Sequence, residues 1–376
     1  MIAIVYPQLY GVGGIARYLD SFLANLPSGS PPVTLITGAS VGTPRSYPGV
    51  DITHIAVTED RGSLSLWGLS LRRLLTRLHE AKRIRCINLH VPPLIPGLLL
   101  PPNIPMVLTA HTTYLGMSGR FYPRRYYEGQ WNGASLAIKM WMERRLLARA
   151  NKVIALTEQG RAEILSYGFK GPVVVVPNGA DTRNFVPAPD VAKTIDVLFA
   201  GRIERRKGSR AMVQLCKSLL GARPGLCISI VGYGEDEEWV RRSLQHLGAG
   251  VELAGKVSFH DMNGYYQRSR VYVSTSYYEG LPGTCLEAMA MGLPAVVWDF
   301  LFYRNLVLDG ETGFTIAPDD TGTMTAKILQ LIDDPLMADR FGDNARALLS
   351  LRYDWHSLAR TIVGELETVG HAAPSQ

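Results

Sequence analysis

Along this chain, short runs of apolar and β-branched residues alternate with longer stretches in which apolar positions recur every three or four residues. The runs Ile2–Val5, Val33–Thr37, Ile84–Leu89, Met106–Ala110, Val153–Thr157 and Val173–Pro177 read as strands, apolar on both faces as a buried parallel sheet requires. Between the first two, Ile15, Leu19, Phe22, Leu23 and Leu26 share one face of a helix expected over Ile15–Leu26, and another helix is expected over Lys139–Ala150. A second series opens with Asp196–Ala200 and continues through Ile228–Gly232, Val251–Ala254, Val271–Thr275 and Ala295–Trp298. Helices such as Ser209–Leu220 and Thr284–Met291 separate its strands. The alternation predicts two doubly wound α/β domains, each a parallel sheet with helices on both faces.

The join falls in VPNGADTRNFVPAPDVAKT, where Pro, Gly and Asn cluster, with a hinge expected near Asn178 to Asp190. The expected domains are therefore 1–180 and 181–353. Length agrees, since 376 residues with 47% apolar and 19% charged positions exceed what one core organises. The formal charge of +6 suits a phosphorylated ligand and is too small to indicate nucleic acid. Cys86, Cys216, Cys227 and Cys285 are widely spaced and form no C-x-x-C pair, which points to reduced thiols and a cytoplasmic location. The opening MIAIVYPQLYGVGG reads as a strand entering a glycine loop rather than a signal peptide. The most apolar stretch, VPPLIPGLLLPPNIPMVL, is interrupted by prolines throughout, so no transmembrane segment is expected. The tail HAAPSQ is expected to be disordered.

Doubly wound domains bind ligands beyond the carboxyl ends of their strands, so the loops there carry the candidate chemistry. In GVGGIARYL, Gly11, Gly13 and Gly14 precede a helix, where they either admit a phosphate to the helix N-terminus or simply make a tight turn. The third glycine of G-x-G-x-x-G is missing, which argues against a dinucleotide-binding dehydrogenase. GRIERRKG, Gly201–Gly208, places Arg202, Arg205, Arg206 and Lys207 at a strand end, as cations for a diphosphate or as a solvated basic loop. Gly232 and Gly234 in VGYGEDEE permit close backbone approach, to a ligand or to neighbouring chain.

YYEGLPGTCLEAMAMGLPAVV places Glu279 in a loop and Glu287 in the next helix. Two carboxylates in one loop region can accept hydrogen bonds from a ribose and a hexose, while amides around Gly283, Thr284 and Cys285 meet a diphosphate. The same residues fit a capping box, Thr284-Cys285-Leu286-Glu287, in which Glu287 would return to the Thr284 amide. His111 in LTAHTTY stands just past an apolar strand, either as a structural residue or facing the same cleft.

Taken in order, the glycine loop, AHTTY, VVPNGAD, LFAGRIERRKG, IVGYGE, the Glu279–Glu287 pair and LVLDGETGF resemble the retaining GT-B glycosyltransferases of the large group 1 family, which includes lipopolysaccharide glucosyltransferases and phosphatidylinositol mannosyltransferases. The resemblance spans nearly the whole chain and is most specific in its second half. It implies a GT-B fold, two Rossmann-like domains facing a central cleft, the first binding the acceptor and the second the nucleotide sugar. It also implies a last helix, 354–370, that returns to the first domain; DWHSLARTIVGELETV carries Trp355, Leu358, Ile362 and Leu366 on one face. The catalytic residues implied are His111 near the donor sugar, Arg202 and Lys207 on the diphosphate, and Glu279 on the sugar. Glu287 would grip the ribose, Gly14 would lie beside the donor phosphate, and Val257 would border the base. Gly13, Gly232, Gly283, Thr284 and Cys285 complete the implied donor site. Gly280-Leu281 departs from the family's aromatic or Ser-Phe pair at that point.

The activity implied is retaining transfer of a hexose or N-acetylhexosamine from a nucleotide diphosphate sugar, UDP ahead of GDP, to a hydroxyl of a saccharide, natural product or lipid-linked glycan. No two Asp residues stand at D-x-D spacing, so neither a metal nor another cofactor is expected, the cations of GRIERRKG standing in for the metal. The expected partners are the nucleotide sugar and its acceptor, without nucleic acid, in a monomer or homodimer. The aromatic and basic stretch 116–141 reads as an acceptor pocket, as a point of peripheral contact with the inner membrane face, or as a long loop with a half-buried helix. Two rivals are a sugar-nucleotide 2-epimerase of the same fold and a non-catalytic sugar-nucleotide-binding subunit.

Overall fold

In the computed structural model, which describes residues 1–9, 13–38, 45–55, 61–119, 133–180, 182, 185–188 and 190–371, the apolar runs become parallel strands because both of their faces are covered. Gly11, residues 120–132 of the 116–141 stretch, and residues 181, 183, 184 and 189 of the expected hinge lie outside the described residues. The chain divides into two units, one holding Met1–Ser118, Trp131–Gly179 and Trp355–Gln376, the other Gly119–Gln130 and Ala180–Asp354.

The first unit contains β1 (Ile2–Val5), β2 (Val33–Gly38), β3 (Val50–Ile55), β4 (Cys86–Val91), β5 (Met106–Ala110), β6 (Lys152–Ala155) and β7 (Val173–Val175). Among the described residues they form one sheet in the order β3-β2-β1-β4-β5-β6-β7, and every pairing is parallel. β1 pairs Ile2 with both Val33 and Cys86, so the strand order reverses beside it. All residues of β1, β2, β4 and β5 are buried, whereas the edge strand β3 has only half-buried and exposed positions. The helix Arg61–Glu80 covers part of the sheet with Trp67, Leu71 and Leu75, which recur at helical spacing and are buried. Thr157 ends the segment after β6 by capping Glu158–Ser166, its hydroxyl accepting from the Gly160 amide at 3.1 Å, which is why the strand stops short of it.

The helix Trp355–His371 packs in this unit through Ala359, Ile362 and Leu366, all buried. Lys152 of β6 anchors it, its ammonium donating to Glu365 Oε2 and Thr368 Oγ1, each at 2.6 Å. Trp355 lies against Gly179, where an added Cβ would stand 2.5 Å from the indole ring. A larger residue at 179 has no room.

The second unit contains β8 (Ile195–Ala200), β9 (Ile228–Val231), β10 (Val251–Gly255), β11 (Ser269–Ser274), β12 (Ala295–Trp298) and β13 (Gly313–Ile316). They form a wholly parallel sheet in the order β10-β9-β8-β11-β12-β13. Ser209–Ala222 presents Met212, Leu215, Cys216 and Leu219 inward at i, i+3, i+4 and i+7. Pro335–Arg352 starts on an Asp334 cap with proline at the first helical position.

Two buried carboxylates lie beneath the short helix Tyr114–Met117 of the first unit. Glu143 accepts from the Tyr114 amide at 2.8 Å and from the Tyr167 hydroxyl. Glu163 accepts from Thr113 Oγ1 at 2.6 Å and from Gln159 Nε2 at 2.7 Å. Burial lifts the Glu143 carboxyl from 4.5 to about 7 against the hydrogen bonds that favour its ionised form. Between those values the folded chain keeps a proton that the unfolded chain has released, so this group's contribution to stability is present below 4.5 and lost as pH rises to 7. Glu143→Gln stays neutral and still offers a carbonyl to Tyr114. Comparing chemical-denaturation stability at pH 5 and pH 7.5, we expect the variant to lose about 2 kcal/mol less than the wild type across that interval.

Candidate active site

The strand order of the second sheet reverses between β8 and β11, and the loops that leave their carboxyl ends part at that point. GRIERRKG follows β8 and TSYYEGLPG follows β11, which brings the basic loop beside the loop that carries Glu279. Gly208 closes the basic loop with φ +76°, and a Cβ there would stand 1.9 Å from the Thr275 carbonyl oxygen. Only glycine meets both demands. Arg206 ties the two loops, donating to the Tyr278 carbonyl at 3.0 Å and to Glu204 at 2.6 Å, while the Tyr277 amide donates to the Arg206 carbonyl at 3.0 Å. This arginine is therefore part of the scaffold.

Arg202, Lys207, Glu279 and Thr284 line one cleft, with Thr275 and Ser276 also on its wall. The Lys207 ammonium donates to the Glu279 carboxylate, with 20% and 11% of the two side chains exposed. Burial lowers the lysine's pKa, and the facing carboxylate offsets part of that fall. Arg202 keeps 59% of its side chain exposed, 3.6 Å from Glu204, with its guanidinium 5.7 Å from the Tyr233 ring centre. The cleft thus presents one half-buried cation already matched to a carboxylate and one mobile-length cation at its edge, an arrangement suited to a ligand that carries both phosphate and hydroxyls.

Glu287 does not form the capping box. Gly283–Ala290 starts from Pro282 without a side-chain cap, which sets Thr284 inside the helix; its hydroxyl is 2.9 Å from that of Tyr272. The Glu287 carboxylate is buried and accepts from the Tyr266 hydroxyl at 2.9 Å, and that hydroxyl also lies 3.3 Å from the Thr284 carbonyl. Tyr266 and Tyr272 come from the helix Phe259–Arg268 and from β11, and nothing in their local sequence announces this role. The Cys285 amide donates to the Pro282 carbonyl at 3.1 Å and its side chain is fully buried, so the amides of Gly283 and Thr284 stand first at the helix start. Gly232 is explained by its neighbours, since a Cβ there would stand 1.7 Å from the Gly201 carbonyl oxygen. Val257 follows β10 and is not among the residues that line the cleft.

Gly13, Gly14 and His111 belong to the first unit. Gly13 has extended backbone, φ 178°, and precedes the helix Gly14–Ala24; a Cβ at either glycine would meet open space. His111 is buried at the end of β5, its Nε2 3.0 Å from His90 Nδ1, and burial holds its pKa down to about 3. No group of three or more His, Cys, Asp or Glu is placed to hold a metal ion among the described residues. No described helix is long and apolar enough to cross a membrane.

Two parallel, doubly wound α/β units in one chain, one of them with a basic loop and a carboxylate loop at its switch point, define a protein of the GT-B type. Residues 182–348 match the family model for glycosyl transferases group 1, and residues 12–184 match the model for glycosyltransferase family 4. The two matches together span most of the chain, and both are to glycosyltransferase families. Glycogen synthase of Mycobacterium tuberculosis is 23% identical over 389 residues, covering 96% of this chain and 92% of its own. Sucrose-phosphate synthase from Thermosynechococcus elongatus shares the fold with a TM-score of 0.82 at 20% identity over 99% of both chains. Anabaena HepE, solved with UDP and glucose, does so with a TM-score of 0.74 at 18% identity, over 98% of this chain and 99% of its own.

The glycines separate into two kinds, and substitution tells them apart. Gly232→Ala, and likewise Gly208→Ala, should lower unfolding free energy by about 2 kcal/mol or more because backbone must move. Gly283→Ala has open space for its Cβ and should stay within about 0.5 kcal/mol of wild type, as read from urea midpoints.

Proposed function

We propose that this protein is a retaining, metal-independent glycosyltransferase that moves a hexose or N-acetylhexosamine from a UDP-sugar to a hydroxyl acceptor. The observation that carries the proposal is the Lys207–Glu279 pair beside Arg202 in the cleft of the second unit. A nucleotide diphosphate sugar supplies what each member of that pair lacks: phosphate oxygens for Lys207 and Arg202, and sugar hydroxyls for Glu279. Glu287, oriented by Tyr266, is the carboxylate for the ribose. The UDP and glucose held by Anabaena HepE support uridine as the base.

Charge develops on the β-phosphate as the bond from its oxygen to the anomeric carbon breaks. Lys207, Arg202 and the amides of Gly283 and Thr284 lower the energy of that state by more than they lower the ground state. The acceptor oxygen bonds to the anomeric carbon on the same face, and its proton passes to the departing phosphate oxygen. Configuration is retained, and no metal is required because protein cations hold the leaving group.

Incubation with UDP-sugars and a panel of hydroxyl acceptors, read by NMR of the product, should give an α-linked product from an α-linked donor, unchanged by EDTA. Lys207→Met should lower kcat about 10²- to 10³-fold. Glu287→Gln should act chiefly on the donor KM. Inversion of configuration, or loss of turnover in EDTA that Mg²⁺ restores, would count against the mechanism. UDP-sugar binding without transfer would leave the non-catalytic reading.

A further inference from the structure

Three polar side chains form a buried line in the first sheet: Asn88 and His90 of β4, and His111 just past β5. Asn88 Oδ1 lies 2.8 Å from His90 Nε2, and His90 Nδ1 lies 3.0 Å from His111 Nε2. Asn88 Nδ2 points the other way, 2.8 Å from Thr109 Oγ1 and 3.3 Å from the Val107 carbonyl oxygen. That carbonyl can only accept, so it fixes which end of the amide is the NH₂ group.

The direction of every proton follows. Asn88 Oδ1 accepts, so His90 carries its proton on Nε2. Its Nδ1 is then a lone pair, which accepts from a proton on His111 Nε2. The opposite order would set the His90 lone pair against the Asn88 oxygen or, with the amide flipped, the Asn88 oxygen against the Val107 carbonyl. Neither histidine is a cation here, because burial holds both well below the usual imidazole range. Asn88 and His90 have no exposed surface, whereas His111 keeps 7%, so the open end of the line is His111. Tyr18 packs edge-on against the His111 ring, 4.8 Å between centres, and fixes its tilt.

We infer that Asn88 and His90 are positioning residues that lock His111 in the Nε2–H tautomer, so that its Nδ1 is a permanent neutral acceptor for a sugar hydroxyl. The role of the sugar rests on the glycosyltransferase reading; the tautomer does not. His111 therefore neither protonates a leaving group nor donates to phosphate. It selects a ligand that brings a hydroxyl to it.

The test is ¹⁵N NMR of histidine-labelled protein, His111 being assigned among the eight histidines by its loss in His111→Gln. In the wild type, Nε2 of His111 should be protonated and Nδ1 unprotonated, with no titration between pH 5.5 and 8. A protonated Nδ1, or a ring that titrates in that range, overturns the inference without needing any variant. Asn88→Leu removes the acceptor that orders the line, and should shift the His111 proton toward Nδ1 while lowering kcat/KM roughly 10-fold or more. Loss of activity with the His111 tautomer unchanged would overturn the positioning role. Absence of sugar transfer by the wild type strikes the functional reading and leaves the tautomer result standing.

Discussion

Both sheets are wholly parallel, and that constraint organises the rest of the molecule. Parallel strands cannot be joined by tight hairpins, so connections cross a face of the sheet, most of them through a helix, and return to the same edge. Where the order turns back, between β8 and β11, adjacent loops diverge and leave a cleft that the sheet itself does not fill. Gly208, held against the Thr275 carbonyl, and Arg206, bridging both loops, keep Lys207 and Glu279 facing each other across that opening.

The two units handle polarity in opposite ways. The second concentrates charge: a cation whose desolvation is offset by a carboxylate is stable without ligand, and a ligand carrying phosphate and hydroxyls can replace each partner with one of the same kind. The first suppresses charge around His111, where two imidazoles are kept neutral and the protons run one way from His111 to Asn88. A neutral line of this kind orients hydrogen bonds without adding net charge.

Strong local patterns carried most of the fold. Runs such as Ile2–Val5 and Ala295–Trp298 are apolar at every position because helices cover both faces, and they appear where the pattern places them. β3 and β13 escaped the sequence reading for physical reasons: VDITHI is a half-exposed edge strand, and GFTI is four residues long and opens on a glycine pressed against the Ala295 carbonyl. The site was legible only in part. Arg202, Lys207 and Glu279 were visible as charges beside strand ends. The Thr284–Glu287 capping box, equally visible, yields to a Pro282 start and to the Tyr266 hydroxyl. Asn88 and His90 gave no local signal at all, because their meaning depends on β4 lying next to β5, a pairing that no single segment encodes.

The proposed function makes Lys207 a phosphate ligand held in waiting by Glu279. Calorimetric titration of UDP into the wild type, Lys207→Met and Glu279→Gln tests it most directly. Lys207→Met should bind UDP about 10-fold more weakly, a difference near 1.4 kcal/mol, while Glu279→Gln, which frees the lysine, should bind at least as tightly as wild type. Unchanged UDP affinity in Lys207→Met, or a loss confined to Glu279→Gln, would contradict it.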